Sequence, residues 1–215
     1  KYIAFYAYIN CCKTNSSLYG AIKSEFERGL NMNKEWSELN KTMQAQIKKK
    51  DTYKMGIDTL FNLRRQLMQT LVSFKEDLCR EDFNAIPFIN ADGYHSKTIA
   101  YSIWHIFRIE DIVAHTVITE DEQVFFTGNY QVRINSPIIT TGNELVKQQI
   151  ADFSKQLNLE ELYSYIFEVR ESTEKILERF SYDELKWKIP DERKGYLKSL
   201  NVVNCDEKAI WLIDY

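Results

Sequence analysis

The stretch Thr98-Ile-Ala-Tyr-Ser-Ile-Trp-His-Ile-Phe-Arg-Ile-Glu-Asp111 decides how this chain is read. It is apolar and strongly helical, yet it carries a histidine, an arginine and two adjacent carboxylates. Burying such groups is costly unless each has a partner. A helix that keeps them holds a polar network together or presents ligands, most simply to a metal. The first option describes an inert bundle and the second an enzyme.

Working outward, Ser96 is the expected cap of a helix over 97–118. At 100° per residue, Ile99, Ile103, Ile106, Val113 and Val117 share one arc, and Glu110 falls inside it. His105 lies at the edge of that arc. Asp111, Arg108 and His115 fall on the opposite side. The wheel therefore predicts His105 and Glu110 facing the protein, with Arg108 and His115 facing water or another layer. A lone inward histidine is more often a satisfied core residue than a ligand. An inward glutamate needs a cation, and Arg64 on the preceding helix is the expected partner.

That preceding helix is predicted over 52–75. Tyr53, Ile57, Leu60, Phe61, Arg64, Leu67, Met68 and Leu71 trace one stripe on it, with Arg64 its charged member. Upstream, Leu18, Ile22 and Phe26, then Trp36, Leu39, Met43 and Ile47, recur at helical spacing and predict one or two amphipathic helices. Downstream, Pro87 and Asp92-Gly93 mark a loop, and 119–142 reads as irregular. Asn143 is expected to open a short helix through Val146, Ile150, Phe153 and Leu157. Asn158 caps the next helix, with Glu161 as its capping-box partner. Leu159, Leu162, Ile166, Val169, Thr173, Ile176 and Phe180 give that helix a clean stripe. The region 182–205, with Pro190 and Gly195, reads as loop or extended chain. Lys208–Tyr215 reads as a final apolar helix, which predicts a fold that continues beyond Tyr215. The expected architecture is all-α: a four-helix bundle over 51–215 whose last helix is cut short, preceded by a helical N-terminal extension over 1–50.

Composition narrows the function. The 215 residues include three prolines and seven glycines, which favours long helices over a turn-rich β fold. The net charge is −3, and Lys48-Lys49-Lys50 is the one short basic run, so nucleic acid is not expected as a partner. No stretch approaches the roughly 20 apolar residues of a membrane span. Cys11, Cys12, Cys79 and Cys205 form no zinc spacing and read as reduced thiols, so the expected location is cytoplasmic. There is no Gly-rich phosphate loop and no Gly-x-Ser-x-Gly elbow. His95, His105 and His115 are ten residues apart, which is the wrong spacing for one helix to give two ligands.

The segment Ile99–Ile112, with its Trp-His-Ile-x-Arg-Ile-Glu-Asp string, resembles the second-helix signature of the DinB-like superfamily of bacterial proteins. Thr141-Gly-Asn143, the Leu159–Phe180 helix with Tyr165 and Arg170, and Trp211-Leu-Ile-Asp-Tyr215 fit the same pattern. The resemblance runs from about Tyr53 to the C-terminus. It implies up-down-down-up connectivity and a divalent metal, zinc or nickel, held by three histidines. His105 matches the first ligand. The other two are implied in an HxxxH pair on the closing helix, which this sequence does not contain. The implied activity is that of a thiol-dependent transferase or hydrolase. Its partners would be a small molecule or low-molecular-weight thiol, and a homodimer is the expected assembly. In that setting Glu110 or Asp111 would orient His105, with Arg108 and Arg64 completing the polar network. The alternative is a non-catalytic helical-bundle binding or scaffold protein with no metal.

Overall fold

The computed structural model describes residues 22–86 and 97–200, with side chains from Lys34 onward. His95, the proposed Ser96 cap, the loop at 87–96, the Lys208–Tyr215 helix and Cys11, Cys12 and Cys205 lie outside the described residues. Among the described residues the chain is helical and carries no strand, as the composition predicts. No helix among them is long and apolar enough to cross a membrane. The chain divides into two compact units.

One unit holds the described residues through Cys79, together with Leu177–Lys186. Its helices are α1 (Ile22–Ile47) and α2 (Tyr53–Asp77), joined by a 3₁₀ turn at Lys50–Thr52. The described residues before 48 thus form one continuous helix, which packs along α2. The connection is tight. The Thr52 hydroxyl donates to the Gln46 carbonyl at 2.7 Å, satisfying an acceptor at the end of α1. Gly56 lets the two backbones approach: a Cβ there would lie 2.5 Å from Ile47 Cγ1 and 2.8 Å from Ile47 N. Met43 and Ile47 are buried on α1, and Tyr53, Leu60, Leu67, Met68 and Leu71 on α2. Ile57 and Phe61, expected in that stripe, are only half-buried. The Tyr53 and Tyr182 hydroxyls donate to the carbonyls of Phe180 and Lys48, each at 3.0 Å, and their rings meet edge to face.

The other unit comprises the described residues from Arg80 to Ile176 and from Trp187 onward. Helix α3 (Arg80–Asn84) is short. Arg80 donates to the Lys155 and Leu157 carbonyls at 2.8 and 2.6 Å, placing a cation at the end of α7 (Gln148–Gln156). Helix α4 runs from Ile99 to Asp111 and continues as a π-helical turn through Thr119. Its N-cap is Thr98, whose hydroxyl accepts from Tyr101 N at 3.0 Å and meets Ser154 Oγ at 2.6 Å. Short helices α5 (Val124–Thr127) and α6 (Tyr130–Ile134) occupy the segment expected to be irregular. Helix α8 (Leu159–Arg179) follows α7, and α9 (Asp191–Ser199) forms where extended chain was expected.

Three local expectations change. Helix α7 starts at Gln148 rather than near Asn143, because Lys147 adopts φ 48°, and Val146 is 58% exposed. Asn158 does cap α8, accepting from Glu160 N at 3.1 Å. Glu161, however, pairs with Arg133 at 2.7 Å, while Asn158 N donates to the Ile134 carbonyl at 2.7 Å, so the capping box is not closed. Finally, Pro190 caps α9, and Leu197 on that helix is buried in a cluster with Ile112 and Val117.

Candidate functional site

The decisive correction concerns which side of α4 is inside. Arg108 and Asp111 are fully buried and His115 is 6% exposed, although the wheel places all three away from the core. Ile99, Ser102, His105, Ile106, Glu110 and Val113 instead form a half-buried stripe. Ile103 and Val117 of the predicted arc are buried as expected, so the helix is enclosed on more than the one side the wheel selects. Ala100, Trp104 and Phe107 enter the core beside the charged residues, and the charges are carried there by their partners.

Those partners are complete. Arg108 sends Nε and Nη2 to the Ile139 carbonyl at 3.2 and 2.7 Å, and Nη2 also to Gln123 Oε1 at 2.8 Å. Its Nη1 reaches Asp111 at 3.0 Å and the Tyr165 oxygen at 3.2 Å. Asp111 accepts the backbone N–H groups of Val124 and Phe125, each at 2.9 Å, and the Tyr165 hydroxyl at 2.8 Å. The carboxylate thus caps α5, and the guanidinium lies 4.3 Å from the Phe125 ring centroid. Burial pushes the Asp111 carboxyl above the ordinary range, with Arg108, the Phe125 N–H and Tyr165 pulling it back. Gln123 Nε2 closes the set on Thr116 Oγ1 at 2.7 Å. This network is structural: it pins α4, α5, α8 and the 139 segment together. Arg64 is likewise buried, on α2. Its expected pairing with Glu110 would join residues of different units.

The reactive-looking group is His105. Its Nδ1 lies 2.7 Å from the Thr141 carbonyl, which can only accept, so Nδ1 carries the proton and Nε2 keeps its lone pair. The ring stacks on Tyr101 at 5.5 Å and 10°. The Tyr101 hydroxyl donates to the Gly142 carbonyl at 3.0 Å, and Lys97 Nζ stands 4.6 Å above the Tyr101 ring. Gly142 has φ +81°, and a Cβ there would lie 3.0 Å from Tyr101, so glycine suits the turn on both counts. Burial lowers the His105 pKa, and the Thr141 carbonyl opposes it; Lys97 lowers it and Glu144 raises it to smaller degrees. The imidazole is therefore neutral at pH 7.

The turn that holds His105 carries two buried oxygens without hydrogen-bond partners, Thr141 Oγ1 and Glu144 Oε2. Thr141-Gly-Asn143 stands out in the sequence, and Tyr101 lies four residues before His105 on the same helix, where spacing alone pairs them; Glu144 carries no signal, because it meets His105 only once the 140–145 turn folds against α4. A single ligand-ready nitrogen does not make a metal site. Among the described residues no group of three or more His, Cys, Asp or Glu side chains is placed to hold a metal ion.

Among the described residues, the fold and site together define an all-helical architecture built around a buried arginine–aspartate–tyrosine network, with a tethered neutral histidine on the half-buried face of the same helix. Comparison with family models, curated proteins and solved structures returns no match.

Proposed function

We propose that this chain is a DinB-like protein with the up-down-down-up four-helix connectivity of that superfamily, in which His105 is one ligand of a divalent metal, zinc or nickel. The observation that carries this reading is the tether. A histidine whose Nδ1–H is held by a backbone carbonyl at 2.7 Å presents Nε2 as a fixed, neutral donor, the usual arrangement of a metal-bound histidine. The Trp-His-Ile-x-Arg-Ile-Glu-Asp string adds support, since its Arg108 and Asp111 lock α4 from the other side. A bound divalent metal lowers the pKa of a coordinated water or thiol. On this reading the protein is a thiol-dependent transferase or hydrolase acting on a small molecule in the cytoplasm, as a homodimer. The remaining ligands are not among the described residues, and no reaction step is assigned to the metal.

The second reading, a metal-free binding or scaffold bundle, draws on the Tyr101–His105 stack, which suits an ordinary satisfied core histidine. Elemental analysis of the purified full-length protein beside His105→Ala separates the two. The metalloprotein reading expects stoichiometric zinc or nickel in the wild type and its loss in the variant. Equal metal content in both, or none in the wild type, removes His105 from the role.

A further inference from the structure

A second constellation lies at the other end of α4, and no sequence motif announces it. His115 sits in the π-helical turn, a form of helix that often marks functional positions. Glu120 then takes φ 63°, an uncommon conformation for a residue with a side chain, and reverses the chain. The reversal lets Asp121 N donate to the His115 carbonyl at 3.1 Å and brings the Asp121 carboxylate to 2.7 Å from His115 Nδ1. On its far side the ring meets Ser172 Oγ of α8, 2.9 Å from Nε2.

The proton positions follow from the donor inventory. A carboxylate only accepts, so Nδ1 carries the hydrogen; in the neutral ring Nε2 is then the acceptor and the Ser172 hydroxyl donates to it. Partial burial raises the Asp121 carboxyl, but hydrogen bonds from Thr119 and His115 outweigh it, so the group stays below the ordinary range and anionic. The imidazole is buried and held at both nitrogens, which fixes its plane. Ser172 also departs from the habit of helical serines. Ser154 and Ser164 donate to the carbonyl four residues back, at 2.7 and 3.1 Å, whereas the Ser172 hydroxyl is given to the ring. It is half-buried.

We infer that Asp121, His115 and Ser172 form a nucleophilic centre, separate from His105, that takes the acyl group of small carboxylic esters. Carboxylate, imidazole and hydroxyl stand in the order that activates serine in unrelated folds, where geometry rather than sequence position defines the site. Ser172 Oγ bonds to the ester carbonyl carbon while its proton passes to His115 Nε2. The C–O bond to the leaving alcohol breaks, and Nε2 returns the proton to that oxygen, leaving an acyl-serine. Water, deprotonated by the same nitrogen, then releases the carboxylic acid and restores Ser172. Asp121 holds the imidazolium at each stage without taking its proton.

The test is covalent labelling of the full-length protein with a fluorophosphonate, followed by peptide mass spectrometry. The expected result is one adduct on Ser172, formed with loss of fluoride and absent from Ser172→Ala. Asp121→Asn is the informative variant, because its side chain is 57% exposed and the substitution leaves the core alone. It should slow labelling by about a hundredfold or more, because the general base His115 loses the carboxylate that fixes its ring and tautomer. No adduct on Ser172 of the folded wild type, or equal labelling rates in wild type and Asp121→Asn, overturns the proposal. His115→Gln, confirmed as folded by circular dichroism, should label no faster than Asp121→Asn.

Discussion

Replacing Asp111 with asparagine should remove a large share of the stability of the unit that contains it. The carboxylate accepts four hydrogen bonds, from Val124 N on Oδ1 and from Phe125 N, Tyr165 and Arg108 on Oδ2. Asparagine retains one acceptor oxygen and must turn its NH₂ toward one side. Turned toward the Oδ2 partners it meets three donors; turned toward Val124 it meets one, so the second orientation costs less. Even there one hydrogen bond is lost, and Arg108 is left as a cation with no counterion at 0% exposure. Breaking a buried pair from one side costs about 3–5 kcal/mol, against a total of about 5–15 kcal/mol for a domain. Urea unfolding followed by tryptophan fluorescence reads the change, since the Trp104 ring lies 5.9 Å from the Arg108 guanidinium. With a slope of about 1–3 kcal/mol per molar, the midpoint should fall by about 1 M or more at constant slope. Glu161→Gln is the control: it removes a pair to Arg133 in which both side chains are about a third exposed, and it should cost less than about 1 kcal/mol. An Asp111→Asn loss no larger than that of the control would refute the reasoning.

Gly56→Ala should destabilise the chain, although alanine ordinarily gains up to about 1 kcal/mol over glycine inside a helix. The new methyl would stand 2.8 Å from Ile47 N, a backbone atom that cannot rotate away, and overpacking of this kind costs about 1–3 kcal/mol. A higher thermal midpoint for Gly56→Ala by circular dichroism would contradict the close approach of α1 and α2. The pH dependence of stability should carry a contribution from His105. Its folded pKa is lowered from 6.5, so the native state binds fewer protons than the unfolded chain just below that value. Stability therefore falls as pH drops below about 6.5 and is fully present above it. His105→Gln, whose amide can still donate to Thr141, should shrink the difference in urea midpoint between pH 7 and pH 5.5; an unchanged difference would show that His105 titrates normally.

Much of the helical framework was legible before any coordinates. Most of the stripe on α2 from Tyr53 to Leu71, the Asn158 cap and the Leu162–Thr173 core face of α8 depend on spacing within a few residues, and the structure keeps them, with Ile57 and Phe61 the half-buried exceptions. Where a local rule failed, a distant group had intervened. Glu161 left its capping box for Arg133, 28 positions earlier, and Asn158 N found Ile134 instead.

The order of residues alone determined that this chain is helical and that His105, Arg108, Glu110 and Asp111 share one turn-rich stretch of a single helix. It did not determine which of them the core would take. That depended on Ile139, Gln123 and Tyr165, between 15 and 57 positions from Arg108, which together with Asp111 occupy every donor of the guanidinium. Tertiary contact likewise tethered His105 to Thr141 and brought Ser172 to His115, 57 positions away. Helical periodicity reports hydrophobicity around one axis, whereas the stability of a buried charge depends on acceptors and donors that only folding brings within 3 Å of it.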